Sequence, residues 1–337
     1  MSELVSILVP AYNAERWISG TIESALAQSW SRKEVIIVDD GSTDRTLKVA
    51  KSFAAKGVRV LAQANKGAAA ARNTALRAAQ GAYIQYLDAD DRLHPDKLAA
   101  QLRGAEDGRR SRTLLTGAWG RFFERPDHAR FAPDSLWRDL LPTDWMVRKF
   151  TDNKFMFPAT WLVSRRLIET AGPWNEDLSL DDDGEYVCRL VAASRHVHFV
   201  AQAKSYYRIG NSGSLSSQKS ERALRSGYSS LRLCIEHLLA LEDSESTRRA
   251  CVSLLQDNLA HFYPEKPDLV SECRELAHVL GGELALPRER VHFRLVGSVL
   301  GWKAARRIRS TLNDTKLRVS RTMERLQRRE MSVDARE

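Results

Sequence analysis

The stretch Glu34-Val-Ile-Ile-Val-Asp-Asp-Gly-Ser-Thr-Asp-Arg-Thr46 decides the fold. Its apolar run is short and nearly continuous, the pattern of a strand covered on both faces and not of a one-sided strand. A polar loop follows at once, and then a helical pattern over 43–56. The same rhythm surrounds it: an apolar run at 5–9 leads to a helical 14–28, and one at 58–62 leads to an Ala-rich helix over 67–80. A fourth run occupies 82–87, with Pro95 where a first helical turn tolerates proline. Such alternation predicts an α/β fold, a doubly wound and mostly parallel sheet.

Ligands of such sheets bind beyond the carboxyl ends of the strands. The polar motifs fall there each time: Pro-Ala-Tyr-Asn at 10–13, Asp-Asp-Gly-Ser-Thr-Asp at 39–44, Asn-Lys-Gly at 65–67 with Arg72 and Asn73, and Asp-Ala-Asp-Asp at 88–91. Carboxylates packed as closely as Asp88, Asp90 and Asp91 raise one another's pKa or need a cation. At an extended strand end Asp88 and Asp90 point the same way, and hard oxygen ligands suit Mg²⁺ or Mn²⁺ bridging to a substrate phosphate. An acidic turn at a helix N-terminus explains the same residues equally well. Asp39 and Asp40 are placed to accept a nucleobase N–H or a ribose hydroxyl, while Ser42 or Thr43 caps the next helix. Arg72 suits a phosphate or a carboxylate partner. Neither a Walker A loop nor G-x-G-x-x-G is present.

Together, VSILVPAYNAERWISGTIESALAQSW, EVIIVDDGSTDRT, NKGAAAARNTAL and GAYIQYLDADD resemble the nucleotide-binding half of family 2 glycosyltransferases, which have the GT-A fold. The resemblance covers about residues 4–103. It implies that Pro10, Ala11 and Tyr12 wall a uridine pocket, that Asp39 contacts the base, and that Asp40 and Arg72 lie near the nucleotide. By the same resemblance Asp88 is near the ribose and Asp90 is on the metal, as the D-x-D signature. Downstream, RRLIETAGPWNEDLSLDDDGEYVCRL resembles the approach to the family's Glu-Asp motif, seven residues ahead of an Arg. Counted back from Arg189, that pair falls on Asp182 and Asp183, with Asp183 as catalytic base and Asp181 as the alternative register. SYYRIGNSGSLS (205–216) resembles the post-catalytic loop, with Asn211 near the place of a family His and with Arg208, Ser214 and Ser216 as phosphate candidates. Among Trp145, Met146, Phe155, Phe157, Trp161 and Trp174, Trp174 is the expected acceptor contact, because it precedes the acidic segment.

The resemblance implies an inverting, non-processive enzyme. A sugar moves from a nucleoside-diphosphate sugar, UDP favoured, to the hydroxyl of a saccharide or lipid-linked acceptor, in cell-surface polysaccharide or glycolipid synthesis. The Q-x-x-R-W motif of processive synthases is absent. The rival readings are a retaining GT-A enzyme and a non-catalytic nucleotide-sugar-binding scaffold. His196 and His198 alternate with valines and read as ordinary strand residues. The expected division is a nucleotide-sugar half over 1–103, an acceptor and base half over 104–219, and a helical region over 220–337.

The 337 residues carry a net charge of +9, of which residues 288–337 supply +8. Basic character is therefore a property of the tail, which argues against specific nucleic-acid binding by the whole chain. That tail, helical and amphipathic by pattern, suits an anionic membrane surface, a helical partner, or solvent. No run of about 18 apolar residues predicts a transmembrane helix. The first residues read as a strand and not as a signal peptide. Cys188, Cys234, Cys251 and Cys273 show no metal spacing. Reduced thiols and a cytoplasmic location, peripheral at the membrane, are expected.

Overall fold

A computed structural model describes residues 3–103, 112–210 and 220–287. The basic tail at 288–337, Asn211, Ser214 and Ser216 lie outside the described residues. Strands β1 (Val5–Ala11), β2 (Lys33–Asp40), β3 (Val58–Gln63) and β4 (Tyr83–Tyr86) run parallel, and β8 (Val163–Ser164) pairs antiparallel with β4. The order is β3-β2-β1-β4-β8. Every residue of β1 is buried. Ile7 and Val9 face one apolar cluster with Ile18 and Ile22 of helix α1 (Ile18–Leu26), whereas Leu8 joins the opposite cluster with Ala71 and Ala75 of α3 (Ala68–Ala78). Apolar cover on both faces is why the strands lack polar alternation.

The helix α2 (Thr46–Lys51) is shorter than its sequence pattern. The hydroxyl-rich loop before it is tied sideways to the loop after β1 and does not cap α2. Asn13 N–H donates to Ser42 Oγ (3.0 Å), Thr43 N–H donates to Asn13 Oδ1 (2.8 Å), and Ala14 N–H donates to Thr46 Oγ1 (2.7 Å). Two loops at the carboxyl edge of the sheet are thereby held as one wall.

A second sheet has the order β5-β9-β6-β7, from β5 (Arg92–Leu93), β6 (Thr113–Phe122), β7 (Arg130–Phe131) and β9 (His196–Arg208). Residues 88–91 form the turn from β4 into β5, directly beside the end of β9. The intervening segments form α4 (Lys97–Arg103), α5 (Pro142–Thr151), α6 (Arg165–Ala171) and α7 (Asp182–Ala193). The sequence pattern reads 145–157 as irregular, but most of it is helical. Pro142 opens α5, and Trp145, Met146 and Phe150 recur on its buried face. Helices α8 (Glu221–Leu241), α9 (Glu245–Phe262) and α10 (Pro267–Val279) follow. One apolar cluster joins Leu8 of the first sheet, Leu190 of α7, Leu255 of α9 and Cys273 of α10. The helical region up to 287 is thus packed on the same core as the sheet. No described helix is long and apolar enough to cross a membrane.

Candidate active site

The four strand ends deliver the expected polar residues to one edge, though not all to one task. Pro10 and Ala11 end β1 buried, and the Tyr12 side chain beyond them is 50% exposed. Asp39 and Asp40 are consecutive on a strand and so point to opposite sides. Asp40 faces the loop after β3, where its carboxylate accepts from Gln63 Nε2 (2.7 Å), Lys66 N–H (2.9 Å) and Gly67 N–H (2.8 Å). It shapes the loop opening α3, and both of its oxygens are engaged within the protein. Asp39 is 2% exposed, and its Oδ2 accepts from Ser42 N–H (3.2 Å). Its Oδ1 is buried with no protein donor. A buried acceptor left unmatched costs about 1–3 kcal/mol, so this atom suits a ligand's N–H.

Arg72 sits one turn into α3 and is 5% exposed. Its Nη2 donates to Asp88 and its Nη1 to Asp182, both at 2.8 Å. Its Cζ lies 4.3 Å over the Trp174 ring. Trp174 itself is 2% exposed, stacked on Tyr186 with ring centroids 4.1 Å apart. The expectation of an accessible acceptor contact at Trp174 is corrected on that ground: it is a buried plate beneath Arg72. Asn73 fixes it further by exchanging two hydrogen bonds of 2.9 Å with the Trp174 backbone. Trp145, Met146, Phe157 and Trp161 are buried too, while Phe155 is 40% exposed.

Three adjacent aspartates diverge at the start of α7. Asp181 adopts a left-handed conformation (φ 59°) and accepts from Ser230 Oγ of α8 at 2.7 Å. Glycine at 184 leaves room for this placement of the Asp181 carboxylate, since a Cβ there would come within 2.2 Å of Asp181 Oδ1. Asp182 pairs with Arg72. Asp183 accepts from its neighbour Gly184 N–H at 3.0 Å. Burial, then the charges of Asp182 and Asp181, push the Asp183 carboxyl up to about 8, with Arg72 opposing. Arg189 donates to both oxygens of Glu185 (2.7 and 3.0 Å) and to the Ala171 and Pro173 carbonyls (2.7 and 2.8 Å). It secures α7 against the preceding turn, the physical reason for an Arg at this spacing.

The Asp88–Asp91 turn is held from below. Asp91 is 1% exposed and accepts from Arg208 N–H at 2.8 Å. Burial, with Asp90 and Asp88 nearby, raises its carboxyl well above the usual range. Arg208 Nε donates to the Asp90 carbonyl at 2.9 Å, and its guanidinium lies between the Trp17 and Phe122 rings, 4.1 and 4.4 Å from their centroids. At 5% exposure Arg208 is a clamp on the turn, which corrects its reading as a phosphate contact. Tyr207 went unrecognised in the sequence. Its hydroxyl lies within electrostatic reach of Asp91, Asp183, Asp90 and Asp88. The strand period of β9 would have separated an outward Tyr207 from an inward Arg208. His198 of β9 is engaged by Asp139 at 2.9 Å.

Among the described residues no group of three or more His, Cys, Asp or Glu side chains could hold a metal alone. Asp88 and Asp90 provide hard oxygen donors at the strand end. This set fits Mg²⁺ or Mn²⁺ in the manner in which few protein ligands share the ion with substrate phosphates and water.

Residues 6–172 match the family model described as glycosyl transferase family 2. The chain is 30% identical over 216 residues to the uncharacterized glycosyltransferase EpsJ of Bacillus subtilis, covering 62% of each. It is 44% identical over 107 residues to the Escherichia coli UDP-Glc:alpha-D-GlcNAc-diphosphoundecaprenol beta-1,3-glucosyltransferase WfaP, covering 31% of this chain and 42% of WfaP. The chain thus spans less than two thirds of either relative. S. aureus TarS 1-349, solved with UDP-GlcNAc, superposes with a TM-score of 0.66 at 19% identity, over 80% of this chain and 79% of that one. Motifs, strand order and family match agree: the chain carries a family 2 glycosyltransferase domain in the GT-A fold.

Proposed function

We propose that the chain is an inverting glycosyltransferase that moves a sugar from a UDP-sugar to a hydroxyl of a saccharide or lipid-linked acceptor during cell-surface polysaccharide or glycolipid assembly, one addition at a time. The observation that carries this is the placement of Asp183. Its neighbours Asp181 and Asp182 are drawn off to Ser230 and Arg72, leaving a carboxylate of raised proton affinity beside the donor-side Asp88.

Asp39 Oδ1 accepts the uracil N3–H, with Tyr12 along the base and Asp88 toward the ribose. Arg72 fixes Asp88 and Asp182 and so sets donor pocket and base in one frame. Asp183 takes the acceptor hydroxyl proton as that oxygen attacks the anomeric carbon and the bond to the diphosphate breaks. Attack from the face opposite the leaving group inverts the anomeric centre. Asp90 would hold a Mg²⁺ or Mn²⁺ ion, which when bound would supply countercharge to the departing diphosphate. The name of WfaP and the TarS complex both carry UDP-sugars, and the name of WfaP adds a lipid diphosphate acceptor. A basic tail at 288–337 suits the anionic surface on which such an acceptor sits.

The test is a panel of UDP-, GDP- and dTDP-sugars with Mg²⁺ and the full chain, scored for nucleoside diphosphate release and for product anomer by NMR. UDP release with inversion supports the reading. No release from any donor, or retention, overturns it. Co-sedimentation with anionic liposomes, weaker for a 1–286 truncation than for the full chain, supports the tail's role, and equal binding contradicts it.

A further inference from the structure

Three rings surround Tyr207: Phe157, Phe155 and Trp119, with centroids 4.9, 5.5 and 6.1 Å away. Phe157 is fully buried and Trp119 is 8% exposed, but Phe155 is 40% exposed and forms the outer edge of the terrace. The exposed part of the Phe155 ring is an apolar face available to a ligand at this edge. The next residue of β9, Arg208, donates its N–H to Asp91 at 2.8 Å, which sets Tyr207 beside the Asp88–Asp91 turn, and Asp183 is within electrostatic reach of its hydroxyl. A phenol carries its proton at neutral pH, so the Tyr207 hydroxyl can donate a hydrogen bond.

The terrace therefore offers an apolar ring face next to a hydroxyl donor, within electrostatic reach of Asp183. A pyranose has the complementary order: a face of axial C–H bonds flanked by equatorial hydroxyls. Resting on the transferase reading above, we infer that Phe155 and Tyr207 form the acceptor-sugar platform. The Phe155 ring stacks on the C–H face of the acceptor pyranose, and the Tyr207 hydroxyl donates to one acceptor oxygen, turning the nucleophilic hydroxyl toward Asp183. Specificity for a pyranose at the acceptor terminus resides in these two side chains, one from the segment after α5 and one from β9.

The experiment is saturation-transfer NMR of methyl glucoside, galactoside, N-acetylglucosaminide and rhamnoside on the full chain with UDP and Mg²⁺. UDP affinity by calorimetry and acceptor KM run in parallel. At least one glycoside is expected to receive saturation at its ring C–H protons. Phe155→Ala should abolish this signal and raise the acceptor KM at least tenfold, with UDP affinity within threefold of wild type. Phe155→Trp should retain binding, and Val279→Ala, at an exposed apolar position on α10, should change nothing. A full signal in Phe155→Ala, no signal from any glycoside with wild type, or an equal loss of UDP affinity overturns the platform. Glycoside binding that depends on Phe155, without UDP release from any donor, would instead sink the transferase reading and leave the platform standing.

Discussion

Asp88 and Asp182 share one guanidinium: Arg72 reaches each at 2.8 Å, joining the end of β4 to the start of α7. Removing the cation leaves two partly buried carboxylates facing each other without it. Arg72→Ala should cost roughly 3–5 kcal/mol in thermal unfolding. Arg72→Lys keeps the charge but not the fork, so its ammonium cannot hold both partners in plane. Sugar transfer by Arg72→Lys should fall about 100-fold through misplacement of the base; a rate within threefold of wild type would show that the bridge does not set the site.

Asp39 and Asp40 should separate cleanly. In Asp39→Asn, the Ser42 N–H keeps its carbonyl partner and the amide donor faces the base. UDP affinity should drop about 10- to 100-fold, the size of one reversed buried hydrogen bond, with little change in Tm. Asp40→Asn loses acceptors for the loop opening α3 and should destabilise the protein by about 1–3 kcal/mol while weakening UDP binding far less. Calorimetry and thermal unfolding of both variants decide it, and the opposite pattern would exchange their roles.

Arg208→Lys gives up the sandwich between Trp17 and Phe122 and the bond to the Asp90 carbonyl. The turn bearing Asp90 should loosen. The Mg²⁺ concentration giving half-maximal UDP binding should then rise several-fold, with metal-free UDP binding unchanged. An unaltered Mg²⁺ titration would remove Arg208 from the site's support.

Much of the fold and site was legible in the sequence, because β1 to β4 are short apolar runs ending in charge. The spacing back from Arg189 pointed to Asp182 and Asp183, whose roles remain the proposal made above, while Asp181 turns toward Ser230 of α8. What the sequence hid was division of labour between neighbours. Asp39 and Asp40 look alike until strand alternation leaves one with an unmatched buried oxygen and sends the other to the loop after β3. Trp174 beside an acidic run looks like an acceptor contact, and only packing shows it lying under Arg72. Helix α5 was masked by its density of aromatics, although Pro142 and the spacing Trp145, Met146, Phe150 carried its period. Tyr207 and Arg208 belong to a strand whose far end meets the Asp88–Asp91 turn, a juxtaposition no local pattern contains.

The Asp183 carboxyl, pushed up to about 8 from 3.8 by burial and its acidic neighbours, sets two pH dependences. As a base it works deprotonated, so kcat/KM should rise with pH and level off above about 8. For stability the sign is opposite. Native Asp183 holds its proton more tightly than the unfolded chain does, so the folded state loses stability as pH rises from about 4 to about 8. Asp183→Asn should match wild type near pH 4 and exceed it at pH 9 by on the order of 2 kcal/mol, allowing for solvent screening of a half-buried group. Thermal unfolding at the two pH values checks this, and a gain independent of pH would contradict it.

The central claim, that Asp183 is the base of a direct displacement, is tested most directly by measuring sugar transfer and UDP affinity side by side in Asp183→Asn. Transfer should fall at least 1,000-fold, near the limit of general-base catalysis together with the lost orientation of the acceptor, while UDP affinity stays within threefold of wild type. Transfer at the wild-type rate would contradict it.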